Sequence, residues 1–306
     1  MPAKTTAFRT WAERLELYAH SEEPLAELGY WKEALGGAGL AVPRDDAGPS
    51  ANTHGSAATV TTVLGAEETE ALLRPAAAGV GTLDTLLTAL GRTIADWTGE
   101  RRVVLDLEGH GRESHWDDVD VSRTVGWFTS QYPFALDVPV GEDPGATRRR
   151  VHDRLANVPG GGLGYGLLRY GRSDEAVEAI RALPDPQVRF NYLGQVTTAQ
   201  DADGPFTTAS ESTGPSADPA GTRRHLLDVT AVVVGGRLQV SWTHCPQTHR
   251  QATVQALSAA FLAELDQLRA GERAAEASGP RPEDFPLAQL DQAQLDAIAA
   301  MLGDQG

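Results

Sequence analysis

The stretch RVVLDLEGHGRE, residues 102–113, decides the fold class because it joins a strand to a charged turn. Its first half, residues 102–107, is a run of Val and Leu interrupted by Asp106, a pattern typical of a buried β-strand. EGHGRE follows at residues 108–113, and its two glycines allow the backbone to turn sharply. Charged loops that follow buried strands commonly carry the chemistry of α/β proteins. The stretch therefore predicts an α/β protein with a candidate site at residues 108–113.

Helices and strands alternate on both sides of this stretch. Residues 82–98 form the clearest predicted helix, with an apolar stripe along its length and Gly99 at the C-terminal cap position. Gly235 and Gly236 predict a tight turn between two strands, because glycine adopts the positive φ that such turns need. Since this hairpin is included, we expect a mixed sheet rather than a purely parallel one. Further strands are predicted at 59–64, 188–194, 226–234 and 237–242, further helices at 8–18, 25–35, 67–73, 147–157, 174–182, 247–269 and 291–301, and a long loop at 197–224.

Composition and charge limit the possible classes of function. The 306 residues are 41% hydrophobic and 22% charged, as in ordinary globular proteins. Asp and Glu number 42 against 26 Lys and Arg, so the net charge is −16, and an acidic surface repels nucleic acid and anionic membranes. No window contains about 18 consecutive apolar residues, the length of a membrane span. The single Cys245 cannot form an intramolecular disulfide, which indicates a reducing, cytoplasmic location.

Three patterns are candidate sites, and each has an alternative interpretation. A carboxylate of EGHGRE at the end of a buried strand suits proton transfer, and the alternative is a solvated turn held by an ion pair. PGGGLGYG at residues 159–166 has neither the Lys of a P-loop nor a G-x-G-x-x-G spacing, so we expect a flexible loop that allows close approach of the backbone. His244, Cys245 and His249 have the spacing of three zinc ligands but no fourth partner, so we expect no metal.

Five blocks of sequence occur in an order that is specific to one family. They are DTLLTALG (84–91), EGHGRE (108–113), RTVGWFT (123–129) leading into Tyr132-Pro133, GLGYG (162–166) and FNYLG (190–194). In this order and approximate spacing they resemble the later motifs of the epimerization domains of nonribosomal peptide synthetases. EGHGRE and FNYLG make the likeness closer to epimerization domains than to condensation domains. The resemblance extends from KTTAFRTWAERL at residue 4 to DFPL at residues 284–287.

The resemblance implies a fold of two chloramphenicol-acetyltransferase-like lobes that form a V with a tunnel between them. By this likeness residues 1–56 are helices and a connector from the end of the first lobe, residues 57–270 are the second lobe, and residues 271–306 are a linker with a short terminal helix. The family's HHxxxDG motif belongs to the first lobe, and no adjacent pair of histidines occurs in this sequence. We therefore expect part of an epimerization domain: an excised piece, a gene fragment, a misassigned start or half of a split enzyme.

The resemblance also implies a reaction. The family inverts the α-carbon of an aminoacyl or peptidyl group that is held as a thioester on the 4'-phosphopantetheine arm of a peptidyl carrier protein, with no directly bound cofactor and no metal. A thioester acidifies the α-hydrogen, so one group removes the proton, another returns it to the opposite face, and hydrogen-bond donors hold the enolate oxygen.

The matched motifs imply which residues serve this reaction. Glu108 is one proton-transfer group, and Asn191 and Tyr192 are candidates for contact with the thioester or the enolate. Asn191 alternates with apolar residues along its strand, so the alternative for the FNYLG strand is simple core packing. The remaining matched residues are expected to shape the site: His110, Arg112, Arg123, Trp127, Gly164 and Tyr165.

The expected partners are the peptidyl carrier protein and the missing first lobe or neighbouring synthetase domains. The chain alone is expected to be inactive, because one wall of the tunnel and one catalytic group are absent. A lobe without its partner exposes an interface, which favours self-association. Two alternatives stay open: a non-catalytic module that docks a carrier protein or a neighbouring domain, and a degenerate fragment with neither activity.

Overall fold

A mixed β-sheet forms the centre of the protein. The computed structural model describes residues 4–37, 39–46, 48, 50–74, 80–113, 115–173, 175–196, 211, 214–278 and 294. The strands within these residues are β1 (Ala58–Val63), β2 (Arg102–Gly109), β3 (Ser130–Asp137), β4 (Val188–Val196), β5 (Leu227–Val234) and β6 (Arg237–His244). They form one six-stranded sheet in the order β1-β6-β5-β4-β2-β3. β4 runs parallel to both β2 and β5, whereas the other neighbours are antiparallel, so the predicted mixed sheet is confirmed.

Helices flank this sheet, which confirms the predicted α/β class. They are α1 (Phe8–Ala19), α2 (Leu28–Leu35), α3 (Ala66–Leu73), α4 (Thr82–Thr98), α5 (Pro144–Ala156), α6 (Leu163–Gly166), α7 (Glu175–Arg181) and α8 (Gln251–Ser278). α4 ends as its sequence predicts, since Gly99 adopts a left-handed conformation with φ of 74°. None of the helices in the described ranges is both long and apolar enough to cross a membrane. Apart from residue 294, the predicted helix at 291–301 lies outside the described residues, as does the larger part of the predicted loop at 197–224.

The two faces of the sheet differ in polarity, because successive side chains along a strand point to opposite sides. On one face α4 and α8 cover the core, and the rings of Trp242 on β6 and Phe261 on α8 have centroids 6.0 Å apart. On the other face the strand register aligns a row of hydrogen-bonding side chains, namely Thr61, Ser241, Thr230, Asn191, Glu108 and Gln131. The side of the sheet that faces α4 and α8 is therefore apolar, and the opposite side carries this row of polar side chains.

β3 is absent from the strands that the sequence predicts. Pro133 lies within it, and proline argues against an internal strand because it has no N–H for the hydrogen-bond ladder. The structure places β3 at the edge of the sheet, where it pairs with β2 and sets Pro133 opposite Asp106. An edge strand tolerates proline, and this position depends on pairing partners that local sequence does not reveal.

Residues 159–166 form a tight turn, in which Gly160 and Gly161 have positive φ, followed by the short helix α6, so an ordered segment stands where a flexible loop was expected. Pro159–Gly162 forms a 3₁₀ turn that continues directly into α6. Gly162 has φ of 86°, and a Cβ atom at this position would lie 1.9 Å from the Tyr132 ring. Close packing, rather than flexibility, requires glycine here.

The segment before β1 packs against the sheet. Trp31 on α2 is fully buried, and its ring centroid lies 5.3 Å from that of Tyr165 and 6.1 Å from that of Tyr132. The carbonyl of Gly39 accepts a hydrogen bond from the backbone N–H of Val104 on β2. These contacts place the N-terminal helices and the sheet around one hydrophobic core, and the division of the chain into three segments stays a prediction.

Candidate functional site

Glu108 lies near the end of β2, where β2 and β4 bring polar side chains together. Asn191 on β4 is its register partner and donates a hydrogen bond from Nδ2 to Glu108 Oε2. Arg189, two residues earlier on β4, donates from Nη1 to Glu108 Oε1 at 2.8 Å. The Glu108 side chain is 14% exposed. The carboxylate is thus anchored through both oxygens and still reaches the polar face of the sheet, an arrangement that suits a positioned acid or base.

Arg189 is itself held by a further pair of charges. Its Nε lies 2.8 Å from Asp228 Oδ1 on β5, the strand on the other side of β4. Arg223 donates from Nη2 to Asp228 Oδ2 at 2.6 Å and to the carbonyl of Thr243 at 2.9 Å. Glu108, Arg189, Asp228 and Arg223 therefore form a chain of alternating charges that ends in a cation with only 3% of its side chain exposed.

Asp106 forms a second buried polar cluster on the same face of β2 as Glu108. Its Oδ2 accepts a hydrogen bond from Gln131 Nε2 at 2.9 Å and lies 2.7 Å from His225 Nε2. The side chains of Asp106 and His225 are only 2% and 5% exposed. His225 Nδ1 lies 3.6 Å from Asp228 Oδ1, so the Asp106 cluster is joined to the charge chain that reaches Glu108.

None of the motifs that predict site residues includes Asp106, Arg189, Asp228, Arg223 or His225. A signal was present, because polar residues interrupt three strands with apolar flanks at alternate positions. The pairing of these positions depends on the parallel register of β2, β4 and β5, which joins Glu108 to Arg189 across 81 residues and Arg189 to Asp228 across 39.

Arg112 fastens the loop between EGHGRE and β3. Its guanidinium donates hydrogen bonds to the carbonyls of Val121, Thr124 and Gly126 at 2.5, 3.0 and 3.2 Å. The same group lies 4.3 Å from the centroid of the Phe128 ring, a cation–π distance. The structure therefore gives Arg112 a bracing role in the RTVGWFT loop.

Gly111 allows this loop to approach the EGHGRE segment. It has φ of 64°, and a Cβ atom there would lie 1.7 Å from the carbonyl oxygen of Phe128. We expect Gly111→Ala to lower the free energy of unfolding by roughly 2–5 kcal/mol, because backbone strain and steric overlap add together. Gly141→Ala is the matched control, since Gly141 has φ of 71° but no atom within 4 Å of the added Cβ. Urea unfolding should give a loss of about 1–2 kcal/mol for the control, and equal losses in the two variants would contradict the steric explanation.

Three other residues that the family resemblance assigned to the site lie on the surface of this region. His110 accepts the backbone N–H of Arg112 at Nδ1, at 3.0 Å, and its side chain is 72% exposed. Arg123 is exposed, and Trp127 is 82% exposed. Val125 beside them is 94% exposed. The braced loop thus presents apolar side chains outward.

Tyr192 and Asn191 lie on opposite faces of β4, because neighbouring residues of a strand alternate. Tyr192 is half-buried against the hydrophobic core, and its hydroxyl is hydrogen-bonded to Thr82 at the start of α4. Burial raises the pKa of Tyr192 above its ordinary value. The structure therefore brings Asn191 to Glu108 and turns Tyr192 toward the helices.

Gly164 and Tyr165 are packed into the protein interior. A Cβ atom on Gly164 would lie 2.1 Å from Glu27 Oε2. Tyr165 is 2% exposed and accepts a hydrogen bond from Arg169 Nη1 at 2.9 Å. Burial raises the pKa of Tyr165 to about 12, so its hydroxyl stays protonated at neutral pH. These contacts shape the packing between α6 and the N-terminal helices.

His244, Cys245 and His249 are fully buried at the end of β6 and in the segment that follows it. His249 donates a hydrogen bond from Nε2 to the carbonyl oxygen of Pro43, at 2.8 Å. Cys245 Sγ lies 3.3 Å from Ser50 Oγ. Within the described ranges, no three His, Cys, Asp or Glu side chains are arranged to hold a metal ion. Cys245 and His249 are thus held by contacts with the segment that precedes β1.

His249 predicts a loss of stability in mild acid. Burial lowers its pKa in the folded state, so the unfolded chain binds the proton more readily and stability falls as the pH drops below about 6.5. At about pH 5.5 this residue contributes a loss of at most about 1.4 kcal/mol. Urea unfolding at about pH 7.5 and pH 5.5 measures the change. His249→Gln retains a side-chain N–H for Pro43 but does not titrate, so its loss should be smaller, and an equal loss in both proteins would contradict this interpretation.

Known sequences related to this chain belong to peptide synthetases. A linear gramicidin synthase protein of Brevibacillus parabrevis is 40% identical over 302 residues, which cover 97% of this chain and 6% of that protein. Surfactin synthase subunit 1 of Bacillus subtilis (strain 168) is 38% identical over 269 residues, which cover 87% of this chain and 7% of that protein. The chain thus spans less than a tenth of the length of these relatives.

Both the sequence and the fold of the chain match a single type of domain found in peptide synthetases. The condensation domain family matches residues 1–278. The crystal structure of the epimerization domain from the third module of tyrocidine synthetase B superimposes with a TM-score of 0.81 at 33% identity, covering 90% of this chain and 61% of that one. The resemblance to epimerization domains is thereby confirmed, and the chain belongs to the condensation domain family.

Proposed function

We propose that this chain is part of an epimerization domain that converts the L-form of an aminoacyl or peptidyl thioester on a carrier protein to the D-form. The observation that carries the proposal is the Glu108 carboxylate, which Asn191 and Arg189 anchor on the polar face of the sheet. The likeness to the tyrocidine synthetase epimerization domain supports the same reaction class. The acidic net charge of −16 is compatible with a substrate that arrives on a protein.

In the proposed reaction Glu108 transfers the proton at one face of the α-carbon. The Cα–H bond breaks, the electron pair moves into the thioester carbonyl to form an enolate, and a second group delivers a proton to the opposite face. Asn191 carries two N–H bonds on Nδ2, and one of them is directed at Glu108. We propose that the other N–H of Asn191 donates to the enolate oxygen, because a positioned donor stabilises the negative charge that develops there.

The second proton-transfer group of this reaction comes from outside these 306 residues. The family resemblance assigns it to the HHxxxDG motif, and the sequence contains no adjacent histidines. We therefore expect no epimerization by the chain alone. Its expected partners are a peptidyl carrier protein, whose 4'-phosphopantetheine arm bears the thioester, and a segment that supplies the histidine motif.

Complementation tests the proposal. The chain is joined to the HHxxxDG-bearing segment of an epimerization domain and mixed with a carrier protein loaded with an L-aminoacyl thioester. The thioester is then hydrolysed and the D fraction is measured by chiral chromatography. We expect D-isomer to accumulate with the joined protein and not with either part alone. A D fraction that stays at the background level, while the same segment joined to its own second lobe produces D-isomer, would contradict the proposal.

A second candidate function is docking without chemistry. Val125 and Trp127 favour it, because a loop braced by Arg112 exposes both side chains, at 94% and 82%. Exposed apolar side chains on an ordered loop are typical of interaction surfaces. This function predicts that the chain binds carrier protein, that Trp127→Ala weakens the binding, and that no complementation produces D-isomer. Accumulation of D-isomer in the complemented protein would exclude a purely docking role.

A further inference from the structure

We infer that Arg189 is a positioning residue that fixes the Glu108 carboxylate for proton transfer, and that Asp228 in turn fixes Arg189. The inference rests on the proposed function of Glu108 and extends it to two residues outside the matched motifs that carry the family resemblance. Arg189 lies on β4, between β2, which carries Glu108, and β5, which carries Asp228.

The guanidinium of Arg189 bridges two carboxylates on neighbouring strands. Its Nη1 lies 2.8 Å from Glu108 Oε1, and its Nε lies 2.8 Å from Asp228 Oδ1. The nitrogens of a guanidinium are held in one rigid plane, so the hydrogen bond to Glu108 and the ion pair with Asp228 together restrict the position and the orientation of the group. Arg189 therefore cannot turn away from Glu108 without breaking the contact with Asp228.

Asp228 is anchored by a residue deep in the protein. Arg223 donates to its Oδ2 at 2.6 Å, and the Arg223 side chain is 3% exposed. Arg223 is held at the same time by the carbonyl of Thr243 and by Asn52 Oδ1, at 2.9 and 3.3 Å. The exposed end of the charge chain, at Glu108, is thus tied to its buried end.

Two donors on one strand constrain Glu108 in different ways. Asn191 holds Oε2 and Arg189 holds Oε1, so the carboxylate plane cannot rotate while both bonds persist. A carboxylate has about four lone-pair sites, so each oxygen keeps a site for a substrate proton. Arginine stays protonated in proteins and does not exchange the proton itself. Its role is therefore to hold Glu108 in place and to compensate its charge.

The test measures epimerization kinetics in the complemented protein. Arg189→Gln should lower kcat by roughly 10²-fold, because small displacements of a catalytic group have effects of that size. KM should change by less than about threefold, because the charged partners of Arg189 are Glu108 and Asp228 and its proposed role is to position a group that acts in the chemical step. Arg189→Lys should retain part of the activity, since one ammonium supplies the charge without the planar fork.

Arg224→Gln is the matched control. Arg224 has a side-chain exposure of 35%, close to the 34% of Arg189, and it pairs with an aspartate, Asp185, at 2.7 Å. Its pairing therefore matches that of Arg189 except for the link to Glu108. We expect kcat of the control within about twofold of the parent protein. A kcat loss in the control as large as that in Arg189→Gln would overturn the inference.

Combination with Glu108→Gln separates the inference from the function on which it rests. If Arg189 acts through Glu108, adding Arg189→Gln to Glu108→Gln should lower kcat no further. Full activity of Arg189→Gln, with an inactive Glu108→Gln, would overturn the role of Arg189 and leave the proposed function standing. Full activity of Glu108→Gln would overturn the proposed function itself.

An NMR measurement on the 306-residue chain, without complementation, tests the inference even if Arg189→Gln does not fold. The side-chain amide of Asn191 reports on the carboxylate that it contacts, so its ¹H–¹⁵N signal should shift in Arg189→Lys and stay in place in Arg224→Gln. An unchanged Asn191 signal in folded Arg189→Lys would show that the carboxylate does not depend on the arginine fork, and would overturn the inference.

Discussion

Replacing Glu108 with Gln should lower the rate of D-isomer formation in the complemented protein by roughly 10²- to 10⁴-fold, the usual range for a lost acid–base group. Glutamine is nearly isosteric with glutamate but cannot accept the α-proton. Its amide also has only one oxygen that can accept a hydrogen bond, whereas Arg189 and Asn191 donate to two oxygens of Glu108. The loss should therefore appear in kcat, and it is measured as the initial rate of D-isomer formation.

Glu100→Gln is the control for the change of charge. Glu100 is exposed just after α4, and the substitution removes the same unit of charge from the surface. Its rate should equal that of the parent protein within about twofold. If Glu108→Gln and Glu100→Gln are both as active as the parent, Glu108 is not a proton-transfer group.

Asp228→Ala should lower the free energy of unfolding by about 3–5 kcal/mol, the usual effect of removing one partner of a buried ion pair. The substitution leaves Arg223, which is 3% exposed, without the carboxylate that lies 2.6 Å away. It also removes the contact of Asp228 with Arg189. Urea or thermal unfolding of the chain measures the change without any assay of function.

Asp118→Ala provides the comparison with a surface ion pair. Asp118 is 69% exposed and pairs with Arg14, which is 42% exposed, at 3.0 Å. Exposed pairs contribute about 0–1 kcal/mol, so this variant should unfold almost as the parent does. Equal losses for Asp228→Ala and Asp118→Ala would show that the charge chain on the sheet has no special role in stability.

Local patterns in the sequence were sufficient for most of the individual elements. The apolar stripe and Gly99 predicted α4, and the Val and Leu run predicted β2, because each signal is contained within a few turns of chain. β3 was missed and residues 159–166 were expected to be a flexible loop, and the two errors share a reason. Pro133 is tolerated by an edge position, and Gly162 is required by the Tyr132 ring, and both facts belong to the tertiary structure.

In the candidate site, too, some residues could be predicted from local sequence and others depend on tertiary structure. Motif order singled out Glu108 and Asn191 as candidates, and the register of β2 and β4 brings the two side chains together. The contacts of Arg189 with Glu108 and Asp228 depend on the order of three strands that are distant in sequence, so no local pattern reveals them. Tyr192 is adjacent to Asn191 but points to the opposite face of β4, so its expected contact with the thioester or the enolate stays a prediction.

Deuterium uptake at the α-carbon tests the central role of Glu108 most directly. The complemented protein is incubated in D₂O with carrier protein loaded with either the L- or the D-isomer, and uptake is measured by mass spectrometry. If Glu108 serves one face of the α-carbon, Glu108→Gln should stop the inversion of both isomers, because inversion needs a proton-transfer group on each face. It should stop deuterium uptake into only one isomer, the one whose α-proton Glu108 removes. Uptake and inversion of both isomers at the parent rate would contradict the assignment of Glu108 as a proton-transfer group.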